Sequence, residues 1–241
     1  MKIPESHPRY ASLMSREKIV RGVEKGITSL HGLIAQGRGE AFDYLLGEKS
    51  HNFAMDAMTA GVAALLLAKN PAISVNGNAA SLCAEDISRL AKAINAAIEV
   101  NIFHASALRE KKIKKEFLRY GAKALLPSKR YSIGFLEHNR RFANKKGILV
   151  ADVVLVPLED GDRCEALRKM GKKIIAIDLN PMSRTAKAAH ITIVDNITRA
   201  IPFMIKIASS LKRANVERLR LIVSKYDNRK TLHSALKQIR H

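Results

Sequence analysis

The residues of this chain that could do chemistry follow short apolar runs. Asn76-Gly77-Asn78 follows the run 72–75, Asn101-Ile102-Phe103-His104 follows 97–100, and Pro157 to Arg163 follows 152–156. Asp178 to Thr185 follows 173–177, and Asp195-Asn196 follows 190–194. In an open parallel sheet such positions meet at the carboxyl edge, where ligands bind at a switch in strand order. Ser183-Arg184-Thr185 opens a helix directly after a strand, so backbone N–H groups and an arginine fork could hold a phosphate there. A helix cap beside a surface arginine is the competing reading. Asp178 could accept from ribose hydroxyls, or close an Asx-turn before Pro181. Glu159, Asp160 and Asp162 could hold magnesium through water, although Asp-Gly-Asp is ordinary turn and cap chemistry, and that reading is preferred. Nearer the N-terminus, Arg16, His31 and Arg38 stand out, Arg38 because Gly37 and Gly39 would let a ligand approach the backbone. Taken singly, each arginine reads equally as a solvated or salt-bridged side chain. No GxxxxGK[ST] or GxGxxG occurs, the eight histidines lack zinc spacing, and no Ser/His/Asp order is defensible.

The elements that must position these residues change character near residue 70. Up to there the pattern is helical. Ser15 is a candidate cap for 16–24 and Thr28 for a helix to Ala35, a break falls at Gly37-Arg38-Gly39, and an Ala/Leu-rich helix over 52–69 is stopped by Pro71. Its small residues Ala60, Gly61, Ala63 and Ala64 suit close packing, in the core or at a subunit interface. From 72 onward, runs at 72–75, 97–100, 123–126, 152–156, 173–177 and 190–194 alternate with helices starting near Ser81, Arg109, Arg163 and Arg184. This is the signature of a parallel sheet with helices on its faces. Three helical patterns close the chain: 198–211, one from Val216, and one carrying Leu232, Ala235, Leu236 and Ile239. The fold class expected is therefore α/β, with a Rossmann-like, mostly parallel sheet. The organisation expected is a single domain 1–241, in which a helical N-terminal region (1–70) precedes a core (71–197) and C-terminal helices (198–241). Residues 127–147 are basic and weakly periodic.

Among 241 residues, 42 are Lys or Arg and 22 are Asp or Glu, a formal charge of +20. Residues 105–146 carry a net +10 and 204–241 a net +8, leaving +2 for the rest. Such asymmetry points first to nucleic acid, anionic lipid or anionic small substrates. Yet aromatics are only 5% and none interleaves with the basic runs to stack on bases, which disfavours specific nucleic-acid binding. Cys83 and Cys164 stand far apart, against a disulfide framework or a cysteine metal site and for a reducing cytoplasm. The N-terminal MKIPESHPRY has no apolar signal region. The longest uncharged apolar stretch, 57–68, is too short to span a bilayer, so no membrane association is expected.

Several long motifs then carry a resemblance. Ile3 to Tyr10 (IPESHPRY), Glu24 to Ala35 (EKGITSLHGLIA), Gly37 to Leu45 (GRGEAFDYL), Ala68-Lys69-Asn70-Pro71 and Ser74 to Asn78 (SVNGN) are similar to the archaeal phosphopantothenate synthetase family. So are Ala151 to Arg163 (ADVVLVPLEDGDR), Ile177 to Thr185 (IDLNPMSRT) and Ile191 to Ile197 (ITIVDNI). The likeness spans about 3–203, departs from the family pattern at Gln36 and Cys164, and includes no motif in the two basic segments. It implies a cytoplasmic homodimeric 4-phosphopantoate:β-alanine ligase of coenzyme A biosynthesis, with a Rossmann-like fold lacking standard ATP motifs. ATP, with Mg2+, would adenylate 4-phosphopantoate, and β-alanine would then displace AMP. No protein nucleophile and no protein-held metal are expected. Matched motif by motif, ATP contacts would fall on Arg16, Arg38, Asp178, Leu179, Asn180, Arg184, Thr185, Asn196 and Ile197. Asn76, Asn78, Asn101 and His104 are strand-end candidates for the other substrates.

The residues agree with such a reaction. ATP at about −4 and a phosphorylated acid at about −3 repel unless arginines, N–H groups and magnesium neutralise them. Carboxylate activation needs placement against the α-phosphate and no covalent helper. The functional charge is then expected in arginines outside the two basic segments, whose lysines decorate solvated helix faces. A nucleic-acid-binding protein and a nucleotide-dependent enzyme of other specificity are the alternatives.

Overall fold

The structure is a computed structural model and describes residues 3–103, 106–158 and 160–240. Three helices lead, α1 (Tyr10–Glu24), α2 (Leu30–Leu45) and α3 (Asn52–Leu67). There follow β1 (Pro71–Val75), α4 (Gly77–Ala93), β2 (Ala97–Val100), α5 (Ala107–Arg119), β3 (Ser128–Ser132) and β4 (Phe142–Ala143). Then come β5 (Val153–Val156), α6 (Gly161–Lys169), β6 (Lys173–Ile177), α7 (Arg184–Ala188), β7 (Ile191–Ile193), α8 (Ile197–Leu211), α9 (Val216–Lys225) and α10 (Asn228–Ile239). Five of the strands form one parallel sheet in the order β2-β1-β5-β6-β7, as the alternating pattern predicts.

Both faces of this sheet are buried, which is why its strands read as largely apolar runs with little alternation. Ile73, Val75, Leu155, Ile175, Ile177, Ile191 and Ile193 point to a large core shared with α3, α4, α5 and α8. Their neighbours Ala72, Val154, Val156, Ile174 and Ala176 point to a smaller one shared with α6 and the stretch 133–151. Ala60, Gly61, Ala63 and Ala64 all lie on the helix that covers the larger core; a Cβ on Gly61 would stand 3.2 Å from Ile175 Cγ2, so α3 rides directly on the strands. The C-terminal stripes are covered from within the chain. Leu219 of α9 joins the larger core, and Ala235 of α10 meets Leu46 and Val194. The outer edge of β7 is capped by Asn228, whose Oδ1 takes the Thr192 N–H at 2.7 Å, so that this short edge is covered.

The local expectations fail where tertiary contacts overrule short-range signals. Ser15 does not start a helix; it is buried inside α1, its hydroxyl donating to Ala11 O four residues back. α2 runs unbroken through Gly37-Arg38-Gly39, because two glycines cost a helix only about 1 kcal/mol each and sixteen residues of packing offset that. Its flanking residue is Ser29, while Thr28 donates to Asn78 Oδ1 instead of capping. α4 starts at Gly77, four residues before Ser81, with Asn76 Oδ1 accepting from Ala79 N. The run 123–126 forms no strand; it makes one parallel bridge, Glu99 to Leu125, beyond β2. The aperiodic stretch 127–147 holds the antiparallel pair β3–β4 with a 3-10 turn at Asn139–Arg141 between its strands.

The approach of the α1–α2 turn to α4 depends on one glycine. A Cβ on Gly77 would stand 2.6 Å from Ile27 O and 2.9 Å from Thr28 Cα, both backbone atoms. Gly77→Ala should therefore push the two segments apart and cost about 1–3 kcal/mol. A thermal melt should show a midpoint lower by roughly 2–12 °C, and an unchanged midpoint would mean that the approach is slack.

Candidate active site

The strand order reverses between β1 and β5, since the chain moves outward from β1 to β2 and then returns to β1's other side. A crevice at the carboxyl ends of those two strands follows from the topology. A cavity of about 690 Å³ lies there, lined by Asn76, Gly77 and Asn78 after β1 and by Leu158, Asp160, Gly161 and Asp162 after β5. Asp178, Leu179, Asn180, Ser183 and Arg184 after β6 also line it, with Asn196 and Ile197 after β7. α2 closes it with His31, Gly32, Arg38 and Gly39. Four helices of nine residues or more, α2, α4, α6 and α8, begin on its wall, and a helix start carries partial positive charge. Four arginines, Arg38, Arg109, Arg140 and Arg184, add full charges. Helix starts and arginines of this kind are groups that can hold the phosphates of an anionic ligand.

Its loops are locked by their own polar side chains. Asp178 accepts from Asn180 N at 2.9 Å and from Ser183 Oγ, and Ser183 Oγ caps α7 through Ala186 N. This is the Asx-turn anticipated as the alternative to a ribose contact. Asn196 caps α8 through Thr198 N and donates to Asp43 of α2. Arg199 bridges Asp43 and Asp195, tying α2 to the loop after β7. Burial pulls the Arg199 guanidinium down, but the hydrogen bond to Asp43 and the charge of Asp195 outweigh it and hold it above its usual range. Asn78 is similarly committed, accepting from Thr28 and donating to Gly32 O at 2.8 Å.

The anticipated residues divide by location. Arg38, Asp178, Leu179, Asn180, Arg184, Asn196, Ile197, Asn76 and Asn78 line one cavity. Thr185 is fully buried behind it, its hydroxyl accepting from Asp160 N at 3.0 Å. Asn101 is also buried, exchanging hydrogen bonds with Arg140 through Nδ2 and Oδ1. Arg16 lines an adjoining groove between α1 and α2, pairing with Glu40 at 2.6 Å; the groove and the cavity share Gln36. His104 and Glu159 lie outside the described residues. Arg184 is 64% exposed and holds Asp162 at 2.6 Å and Glu165 at 2.8 Å. Among the described residues no three His, Cys, Asp or Glu side chains gather closely enough to hold a metal ion.

The residues that sequence reasoning missed come from the first basic segment and from a strand interior. Arg109 and Arg140 line the cavity, against the expectation that this segment's charge is solvent decoration. Arg140 pairs with Asp160, and its guanidinium lies over the Phe103 ring at 5.8 Å. Behind it, Arg163 and Glu99 are both wholly buried, 3.7 Å apart. Arg163 Nη1 donates to Arg140 O, while Glu99 accepts from Asn144 N at 3.1 Å and Ile148 N at 2.7 Å. Burial pushes the Glu99 carboxyl up against the pull of Arg163 and those N–H donors, and pulls Arg163 down to about 10. The one available signal was Glu99 itself, a charge inside the apolar run Ala97-Ile98-Glu99-Val100. Arg140 had none, because basic residues in an aperiodic stretch look alike whether solvated or folded inward.

The sequence profile of the phosphopantothenate/pantothenate synthetase family matches residues 53–241. The chain belongs to this family. Relatives named 4-phosphopantoate--beta-alanine ligase include one from Methanosarcina mazei, 53% identical over 98% of this chain and 94% of its own length. One from Thermococcus onnurineus is 53% identical over 100% and 93%, and one from Methanospirillum hungatei 47% identical over 89% and 88%. The family profile includes every cavity segment from β1 onward; α1 and α2, with Arg38, are covered by the near full-length relatives.

Breaking the buried pair from one side should strand a charge. Glu99→Gln and Arg163→Met should each cost about 3–5 kcal/mol in urea denaturation. The double variant should cost less than their sum by at least about 1 kcal/mol; strictly additive losses would show that the two side chains do not act as a pair.

Proposed function

We propose that this chain is an ATP-dependent ligase that joins 4-phosphopantoate to β-alanine through an acyl adenylate, releasing AMP and pyrophosphate, in archaeal coenzyme A synthesis. The observation that carries this reading is the convergence of four helix starts and four arginines on the β1/β5 crevice, in a chain about half identical to ligases of that name. Two polyanions must share one cavity, and that is the chemistry such a wall supplies. Asp178 and the Leu179-Asn180 turn, with Asn196 and Ile197, would take the ribose and adenine. Arg38 and Arg184 would take the ATP phosphates. Arg109 and Arg140 approach from α5 and the 139–141 turn, and would take the phosphate of 4-phosphopantoate. Thr185 would act by fixing the Asp160 loop, and Arg16 would contribute from the adjoining groove.

Asp160 and Asp162 already pair with Arg140 and Arg184, so Mg2+ would ride mainly on the nucleotide phosphates, as this ion commonly does. The chain's own residues would then position and neutralise, holding the carboxylate of 4-phosphopantoate in line with the α-phosphate. A homodimer belongs to this reading. Exposed Val20, Leu30, Leu33, Ile34, Tyr44 and Leu45 on α1 and α2 support it, as an apolar row that a second copy would cover. A single-domain organisation also belongs to it, since α1 and α8 both pack on α4. Among the described residues no helix is long and apolar enough to cross a membrane, which fits a cytoplasmic enzyme.

The protein incubated with ATP, Mg2+, 4-phosphopantoate and β-alanine should form AMP and pyrophosphate only when both acids are present. ADP and orthophosphate would overturn the adenylate mechanism, and absence of turnover the assignment. The ion pairs of Arg184 are exposed and therefore weak, so ATP phosphates should displace them. Arg184→Ala should raise KM for ATP roughly tenfold or more with the thermal midpoint nearly unchanged.

A further inference from the structure

Asp160 is unlike the other two acids on the cavity wall. Asp178 already accepts from Asn180 N and from Ser183 Oγ, and Asp162 is half-exposed beside Arg184. Asp160 is only 4% exposed; one oxygen pairs with Arg140, and Oδ1 is buried with no hydrogen-bond partner among the described residues. The Thr185 hydroxyl fixes its backbone, and the charge and backbone N–H of the wholly buried Arg163 act on its carboxylate, although Arg163 Nε and Nη2 are themselves without a hydrogen-bond partner among the described residues. An unfilled buried carboxylate oxygen costs free energy until a donor reaches it. Unlike a magnesium ion, which takes several oxygens, an ammonium group needs one acceptor, and this oxygen is the unpartnered acceptor on the described wall.

We infer that Asp160 receives the ammonium group of β-alanine and accepts its first proton, making the amine a nucleophile. This rests on the ligase reading above. β-Alanine enters as an ammonium, and an ammonium has no lone pair with which to attack. One proton passes to the Asp160 carboxylate. The free amine nitrogen then bonds to the acyl carbon, the bond from that carbon to the AMP oxygen breaks, and the second proton leaves with the AMP phosphate. Burial raises the affinity of Asp160 for a proton, against the pull of Arg140 and Arg163, which suits a group that must take one.

The two half-reactions separate the possibilities. In the wild type, 4-phosphopantoate-dependent exchange of pyrophosphate into ATP reports adenylation alone; its absence would overturn the ligase reading itself. With exchange present, Asp160→Asn should lose β-alanine-dependent ligation by about 100-fold or more, while exchange falls by far less. Hydroxylamine, whose nitrogen carries a free lone pair at neutral pH, should still trap the adenylate as a hydroxamate in the variant. Wild-type ligation, or exchange and ligation lost in parallel in a folded variant, would overturn the inference. Should Asp160→Asn fail to fold, Asp160→Glu keeps the charge facing Arg140 and moves it by one methylene. It should raise KM for β-alanine about tenfold or more with a smaller effect on exchange, and an unchanged KM would overturn the inference.

Discussion

A parallel sheet covered on both faces leaves its strand ends as the only places along the strands where polar side chains can gather without crowding a core. In this chain alternate strand residues feed two apolar layers, so every charged or hydrogen-bonding group after β1, β5, β6 and β7 is forced to the carboxyl edge. The reversal of strand order at β1/β5 then opens a crevice between two of those loops, because their crossovers leave in opposite directions. Cavity, helix starts and arginines all follow from that one arrangement.

The cavity's positive character has to be held against self-repulsion, and the acids around it do so. Asp162 and Glu165 flank Arg184, Asp160 faces Arg140, and Asp43 with Asp195 brackets Arg199 below the cavity. These pairs differ in kind. Those of Arg184 are exposed and exchangeable, whereas Glu99 and Arg163 sit wholly inside, where each needs the other to remain charged. That buried pair does structural service: Arg163 grips the backbone oxygen of Arg140, and Glu99 grips the N–H groups of Asn144 and Ile148. An irregular basic stretch is thereby pinned over the end of β2, with one arginine turned onto the cavity.

The same logic explains which candidate residues touch the cavity and which support it. Asn76 and Asn78 line the wall, yet their side chains cap α4 and bind α2 to it, so they shape the site at least as much as they offer it hydrogen bonds. Asn101 and Thr185 stand one layer further back, each bonded to a residue that lines the cavity, Arg140 and Asp160. Strand-end position alone does not distinguish these two layers, since a residue at the end of a strand can turn toward the crevice or toward its neighbour.

The sequence by itself determined the α/β class, the five strands of the sheet to within a residue or two, and most of the loop residues that line the cavity after β1, β5, β6 and β7. It did so because two-sided burial writes largely apolar runs, and the polar residues after them have only one edge to go to. Family motifs in Gly37 to Leu45, Ile177 to Thr185 and Ile191 to Ile197 added the chemistry. Only the tertiary structure decided that α2 runs straight through Gly37-Arg38-Gly39, that Arg16 faces an adjoining groove, and that Arg109 and Arg140 turn inward. Helix continuity there rests on packing that outweighs glycine's propensity, and the direction of an arginine rests on partners such as Asp160, Asn101 and Arg163 that lie up to about forty residues away in the chain.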